Sequence, residues 1–145
     1  MATVELRFSA LPEHVRTARL VAAAVARRAG VDEAVLDEVR LAVGEACTRA
    51  VGLHQSGGID APVKVLLIEE EKQFSIEVGD EAPHSAPGDR APGAAADDPD
   101  METEEDEMGL AVISGLVDDV EVTAGEHGGL IRMTWPTTPL ATVLS

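Results

Sequence analysis

The sequence predicts an α+β fold, a two-layer α/β sandwich with helices on one face of a mostly antiparallel mixed sheet. Three observations predict it. Apolar and polar residues alternate in short segments near both ends, as they do in half-buried strands. Two longer segments between Leu11 and Leu53 instead carry apolar residues at steps of three and four, the spacing of an amphipathic helix. At 145 residues the chain is long enough for one core and too short for two, so a single domain over 1–145 is expected.

Each element follows in order. Val4, Leu6 and Phe8 alternate with Glu5 and Arg7 and mark the first strand. Pro12 suits the first turn of a helix and Gly30 its stop, with Leu11, Val15, Ala18, Ala22, Val25 and Ala29 on one apolar face. Asp32 is expected to cap a second helix running to about Leu53, with Leu36, Val39, Val43, Ala46 or Cys47, and Ala50 inward. Gln55 to Asp60 reads as a loop by composition. Val63 to Ile68 and Phe74 to Val78 are two strands, with the turn between them over Glu69 to Lys72.

From Asp80 the character changes. Pro83, Pro87, Pro92 and Pro99 interrupt any regular element, and eight of the eleven residues from Asp97 to Glu107 are acidic. The stretch 81–107 is expected to be a disordered, lid-like acidic loop, with solubilising preferred over partner binding as its role. Order is expected to return at Met108, where Leu110, Val112, Ile113, Leu116 and Val117 fit a short helix. Val120 to Thr123 and Leu130 to Trp135 are two strands joined by the glycine-rich Gly125 to Gly129.

Composition excludes several function classes. Aromatic residues are 2% of the chain, so Ala, Val, Leu and Ile must build the core. A net charge of −16 opposes direct binding to DNA or RNA, which needs a basic footprint, and favours a basic protein partner. Cys47 is the single cysteine, so no intramolecular disulfide can form; among apolar helix positions it reads as packing. The opening residues are not expected to act as a signal peptide, and the apolar run Leu20 to Ala26 is too short to span a bilayer. A cytoplasmic protein without membrane contact is expected.

Three segments carry more than fold. The helix stretch Leu41 to Val51 reads L-A-V-G-E-A-C-T-R-A-V, the strand Phe74 to Asp80 reads F-S-I-E-V-G-D, and Met108 to Val122 reads M-G-L-A-V-I-S-G-L-V-D-D-V-E-V. In this order and spacing, with the closing Gly128 to Thr134, they resemble the ATPase superfamily of gyrase, Hsp90, histidine kinases and MutL. They are most similar to its anti-sigma-factor serine kinases, whose motifs read E-A-x-T-N-A, D-x-G-x-G and G-M-G-L. The resemblance covers nearly the whole chain and implies the Bergerat, histidine-kinase-like fold.

The resemblance also implies a site. Glu45 falls where the family places a general base, and Asp80 where a carboxylate accepts from the adenine amino group. Gly109 and Leu110 hold the phosphate-side glycine motif, and ATP with Mg²⁺ are the implied cofactors. Five departures weaken that site. Arg49 stands where an asparagine ligates Mg²⁺, and a guanidinium has no lone pair to offer a metal. It could instead pair with a phosphate. Ala82 and His84, with Pro83 between them, replace glycines that let the backbone approach the base. Glu107 replaces the glycine before Gly109, the preceding loop is acidic, and Gly129 or Leu130 replaces a threonine. No protein metal site is expected, and Arg49, Asp80, Gly109 and Leu110 are the candidate nucleotide contacts.

Two histidines invite comparison. His54 falls one position later than a family histidine and is expected to face a loop. The stretch Glu13-His-Val-Arg-Thr17 echoes a phosphoacceptor box, but no dimerisation domain surrounds it. The implied function is an anti-sigma factor that sequesters an alternative sigma factor and is released by an antagonist protein, with weak or absent ATP binding. The alternative is an active serine kinase that phosphorylates the antagonist through Glu45. The family also implies a homodimer.

Overall fold

The computed structural model describes residues 2–82, 113, 115–117, 119–125 and 128–137. Most of the acidic stretch, with Gly109 and Leu110, lies outside them. Five strands and two long helices make up the described chain: β1 (Ala2–Phe8), α1 (Pro12–Ala29), α2 (Leu36–Gly57), β2 (Val63–Glu70), β3 (Gln73–Asp80), β4 (Asp119–Gly125) and β5 (Gly128–Pro136). Ile113, Gly115 and Leu116 are helical, where a short helix was expected.

The sheet order is β1-β2-β3-β5-β4, and every described pairing is antiparallel. The mixed character expected from the sequence is therefore not found among the described strands. Two helices, not one, connect β1 to β2, so the chain reverses once more and β2 runs against β1. β4 points the same way as β3, but β5 is inserted between them.

Val15, Ala18, Ala22, Val25 and Ala26 of α1 meet Val39, Val43, Ala46, Cys47 and Ala50 of α2, all buried, and both helices cover Val65, Leu67, Phe74, Ile76, Ile131 and Met133 of the sheet. The alanines take the positions where large side chains would separate the layers. Burying each Val, Leu or Ile contributes roughly 1.5–3 kcal/mol, which lets an aromatic-poor chain hold together. Leu11 departs from the expected apolar face: it is the residue preceding the helix and is 40% exposed.

Both helices end as their glycines direct. Gly30 has φ 101° and donates to the Arg27 carbonyl, while Val31 donates to Ala26. Gly58 has φ 64° and donates to Gln55, while Ile59 donates to His54. These paired bonds satisfy the last helical carbonyls. α2 thus runs four residues past the expected end at Leu53, and Gln55 to Gly57 are helical rather than loop. Composition misled there because the left-handed stop is the second glycine of the pair, and Gln55 Nε2 is anchored on the Ala10 carbonyl at 3.1 Å. Asp32 does act as a cap, but of a 3-10 turn (Glu33–Val35) that leads into α2. Its Oδ1 accepts from the Ala34 amide at 3.0 Å.

The β2–β3 turn is tighter than expected. Pairing continues to Glu70 and Gln73, leaving Glu71 and Lys72 as the turn, with Lys72 at φ 81°. Among the described residues no helix is long and apolar enough to cross a membrane.

Candidate functional site

α2 presents Glu45 and Arg49 one turn apart, hence on one side of the helix. β3 ends at Asp80, and its even-numbered residues Phe74, Ile76, Val78 and Asp80 are all buried on the helix side of the sheet. The alternation that packs the strand also carries the Asp80 carboxylate under α2. There Arg49 Nη1 lies 4.0 Å from Asp80 Oδ2, with the two side chains 10% and 3% exposed. Asp80 Oδ1 accepts from the Ala82 amide at 3.0 Å. Both carboxylate oxygens therefore face groups of the protein itself.

Glu45 is half-buried and makes no hydrogen bond or ion pair with any described residue. The structure thus brings Arg49 and Asp80 together, leaves Glu45 a turn away on the same helix, and describes neither Gly109 nor Leu110. No group of three or more His, Cys, Asp or Glu able to hold a metal occurs among the described residues. Arg49 offers Mg²⁺ no lone pair, and its positive charge opposes a cation beside it. Position 49 therefore offers Mg²⁺ no ligand.

Two further residues shape the site, and sequence reasoning missed both. His54 is fully buried, not loop-facing. Its Nδ1 lies 2.9 Å from the Ala61 carbonyl, and its Nε2 accepts from the Glu81 amide at 2.9 Å. These partners fix the neutral ring with the proton on Nδ1. The ring ties the end of α2 to the residue that follows Asp80. The signal was present in the spacing: Cys47, Val51 and His54 step by four and three along the buried face.

Gly128 opens β5 at φ 139°, and a Cβ there would collide with the Asp80 carbonyl oxygen. The β4–β5 hairpin can approach Asp80 only because this residue has no side chain. A shallow depression of about 470 Å³ lies beside Asp80, lined also by Thr123, Gly125, Gly128, Gly129 and Leu130. Among the described residues none that lines it is basic, so these supply no side-chain cation for a phosphate.

Cys47 is buried in the core, and desolvation pushes its thiol pKa up to about 12. A thiol so held is packing rather than a nucleophile, as the sequence led us to expect. His14 packs its ring 6.1 Å from that of Phe8.

The sequence matches the family described as the histidine kinase-like ATPase domain over residues 8–135. It is 32% identical to the serine-protein kinase RsbW of Bacillus pumilus (strain SAFR-032) over 137 residues, which cover 90% of this chain and 83% of that protein. The chain belongs to the histidine kinase-like ATPase family, in its anti-sigma-factor serine kinase branch. Another relative in this family is the anti-sigma F factor of Clostridium acetobutylicum, 29% identical over 129 residues and 87% of each chain. The crystal structure of the RsbU and RsbW domains of Rv1364c from Mycobacterium tuberculosis shares the fold, with a TM-score of 0.68 at 16% identity. That likeness covers 96% of this chain and 33% of the other, so this chain spans about a third of its length.

Proposed function

We propose that this family member is a cytoplasmic anti-sigma factor. It binds and sequesters an alternative sigma factor, and an antagonist protein releases it. The names of its relatives, RsbW and anti-sigma F factor, support the partner class. The net charge of −16 supports a basic partner, because opposite charge speeds encounter and helps select partners. The single observation that carries the weak or absent ATP binding is the Arg49–Asp80 pairing. In it the guanidinium, at the position where the resemblance implies a metal ligand, lies 4.0 Å from the carboxylate expected to read adenine.

In this reading Asp80 and Arg49 hold α2 to β3, and the domain serves as a rigid protein-binding body. The acidic segment 81–107 acts as a solubilising loop, and the active species is a homodimer. The experiment is a binding panel of the host's alternative sigma factors at low and moderate salt. Association with one of them that weakens as salt rises supports the proposal. No binding to any of them at low salt removes it.

A second reading keeps the kinase, with Glu45 as general base. Glu45 favours it, since this half-buried carboxylate makes no described pair that would occupy it. Transfer of the γ-phosphate to an antagonist serine, abolished by Glu45→Ala, would establish that reading. Absence of transfer to every candidate antagonist would eliminate it.

A further inference from the structure

The two edges of the sheet differ in how they are guarded. An edge strand offers a row of unpaired backbone groups to another chain, and proline, bulges or charges of one sign keep such rows apart. β4 forms one edge, and its charged side chains, Asp119 and Glu121, are both acidic. No two-fold pairing of β4 with a second β4 can bring opposite charges together. β1 forms the other edge and lacks those guards. It contains no proline, and it pairs with β2 without a bulge from Ala2↔Glu69 to Phe8↔Val63. Among the described residues nothing pairs with its other side.

What β1 presents is complementary to itself. Val4, Leu6 and Phe8 pack against the core yet remain only partly buried. Alternation puts Glu5 and Arg7 on the opposite face, where their side chains stay 43% and 58% exposed. When two β1 strands run antiparallel about a two-fold axis, the residue at the axis fixes every other contact. Glu5 at the axis would set Glu5 against Glu5, and Arg7 there would set Arg7 against Arg7, both destabilising. An axis between residues would place these charges opposite apolar side chains. An axis at Val4 or Phe8 pairs neither charge with an opposite one. Leu6 at the axis sets Glu5 opposite Arg7 twice, Val4 opposite Phe8 twice, and Leu6 against itself. Opposite charges and apolar pairs at facing positions stabilise an antiparallel pair.

We propose that β1 is the homodimer interface: two copies pair antiparallel about a two-fold axis at Leu6, with Glu5 of each copy against Arg7 of the other. This inference rests on the homodimer reading above and gives that dimer its surface. Main-chain hydrogen bonds between the two edges supply affinity, and the facing side chains select the register. Two five-stranded sheets become one continuous sheet, with both helical layers on the same side.

Sedimentation velocity over a micromolar concentration series tests this with the full chain, Glu5→Arg, Arg7→Glu and the double exchange Glu5→Arg/Arg7→Glu. Thermal melts check that each variant folds. The expected result is a dimer that each single change weakens at least about tenfold, because like charges then meet twice across the axis. The double exchange brings the dissociation constant back to within about threefold of the natural one, since opposite charges face each other again. Glu5→Arg is the decisive variant. It moves the net charge of −16 two units toward zero, so general repulsion between copies would ease and the dimer would tighten. Weakening in that variant therefore requires a facing Arg7. A dimer that Glu5→Arg leaves equal or tighter, or that the double exchange fails to restore, overturns this inference and leaves the homodimer on another surface. A natural chain that stays monomeric overturns both.

Discussion

Arg49 Nη1 stands 4.0 Å from Asp80 Oδ2, joining the middle of α2 to the last residue of β3 across 31 positions of sequence. Both side chains are withdrawn from water, so removing one partner leaves the other charge poorly solvated. We expect Arg49→Met to destabilise the fold by roughly 1–3 kcal/mol in chemical denaturation. A double-mutant cycle with Asp80→Asn should return a coupling of about 1 kcal/mol. Additive effects would show that the pair is proximity without interaction.

Gly128→Ala should be costly for its size. The new methyl would meet the Asp80 carbonyl, and the φ of 139° is one that alanine rarely adopts. A loss of more than about 2 kcal/mol is expected, against a gain of about 0.5–1 kcal/mol for Gly52→Ala, which lies inside α2 with nothing within 4 Å. Thermal melts of the two variants side by side decide it.

His54→Ala removes a buried ring and both of its hydrogen bonds, and should cost roughly 2–4 kcal/mol. The sharper readout is local. Hydrogen exchange at the Glu81 amide, which donates to His54 Nε2, should quicken far more than exchange at Val65 in the centre of the sheet. Equal acceleration at both would mean that the ring is only packing.

Cys47 predicts an alkaline limit. Burial raises its pKa from 9.0 to about 12, so between those values the unfolded chain gives up a proton that the folded chain keeps. This contribution to stability is complete below pH 9, declines as pH rises toward 12, and amounts to roughly 3 kcal/mol lost by pH 11. Cys47→Ala should be somewhat less stable at neutral pH yet show a flatter alkaline decline. A decline of equal slope would assign it to other groups.

The fold was largely legible because its signals are local. Pro12 and Gly30 bracket α1 as expected, and the alternation of Val4, Leu6 and Phe8 places β1. The errors came where two local rules compete. Gly57 and Gly58 both look like helix stops, and only the backbone decides that the second takes the left-handed turn. Asp32 caps a turn rather than a helix because a short 3-10 lead-in has the same capping chemistry. Of the candidate site, Glu45, Arg49 and Asp80 could be named from the resemblance of their motifs to the family's. The partnership of Arg49 with Asp80 could not, since it depends on how α2 lies over β3. His54 was misplaced by comparing its motif position instead of following its own helical face. Gly128 could be read as a turn glycine, but its clash with the Asp80 carbonyl appears only when the hairpin is placed.

The most direct test of the account is calorimetric titration of the folded chain with ATP, with and without Mg²⁺, beside Arg49→Asn. The account predicts weak or undetectable binding to the natural chain that Mg²⁺ does not strengthen, and magnesium-dependent binding gained in Arg49→Asn. Micromolar, magnesium-dependent binding by the natural chain would contradict it and return the kinase reading to first place.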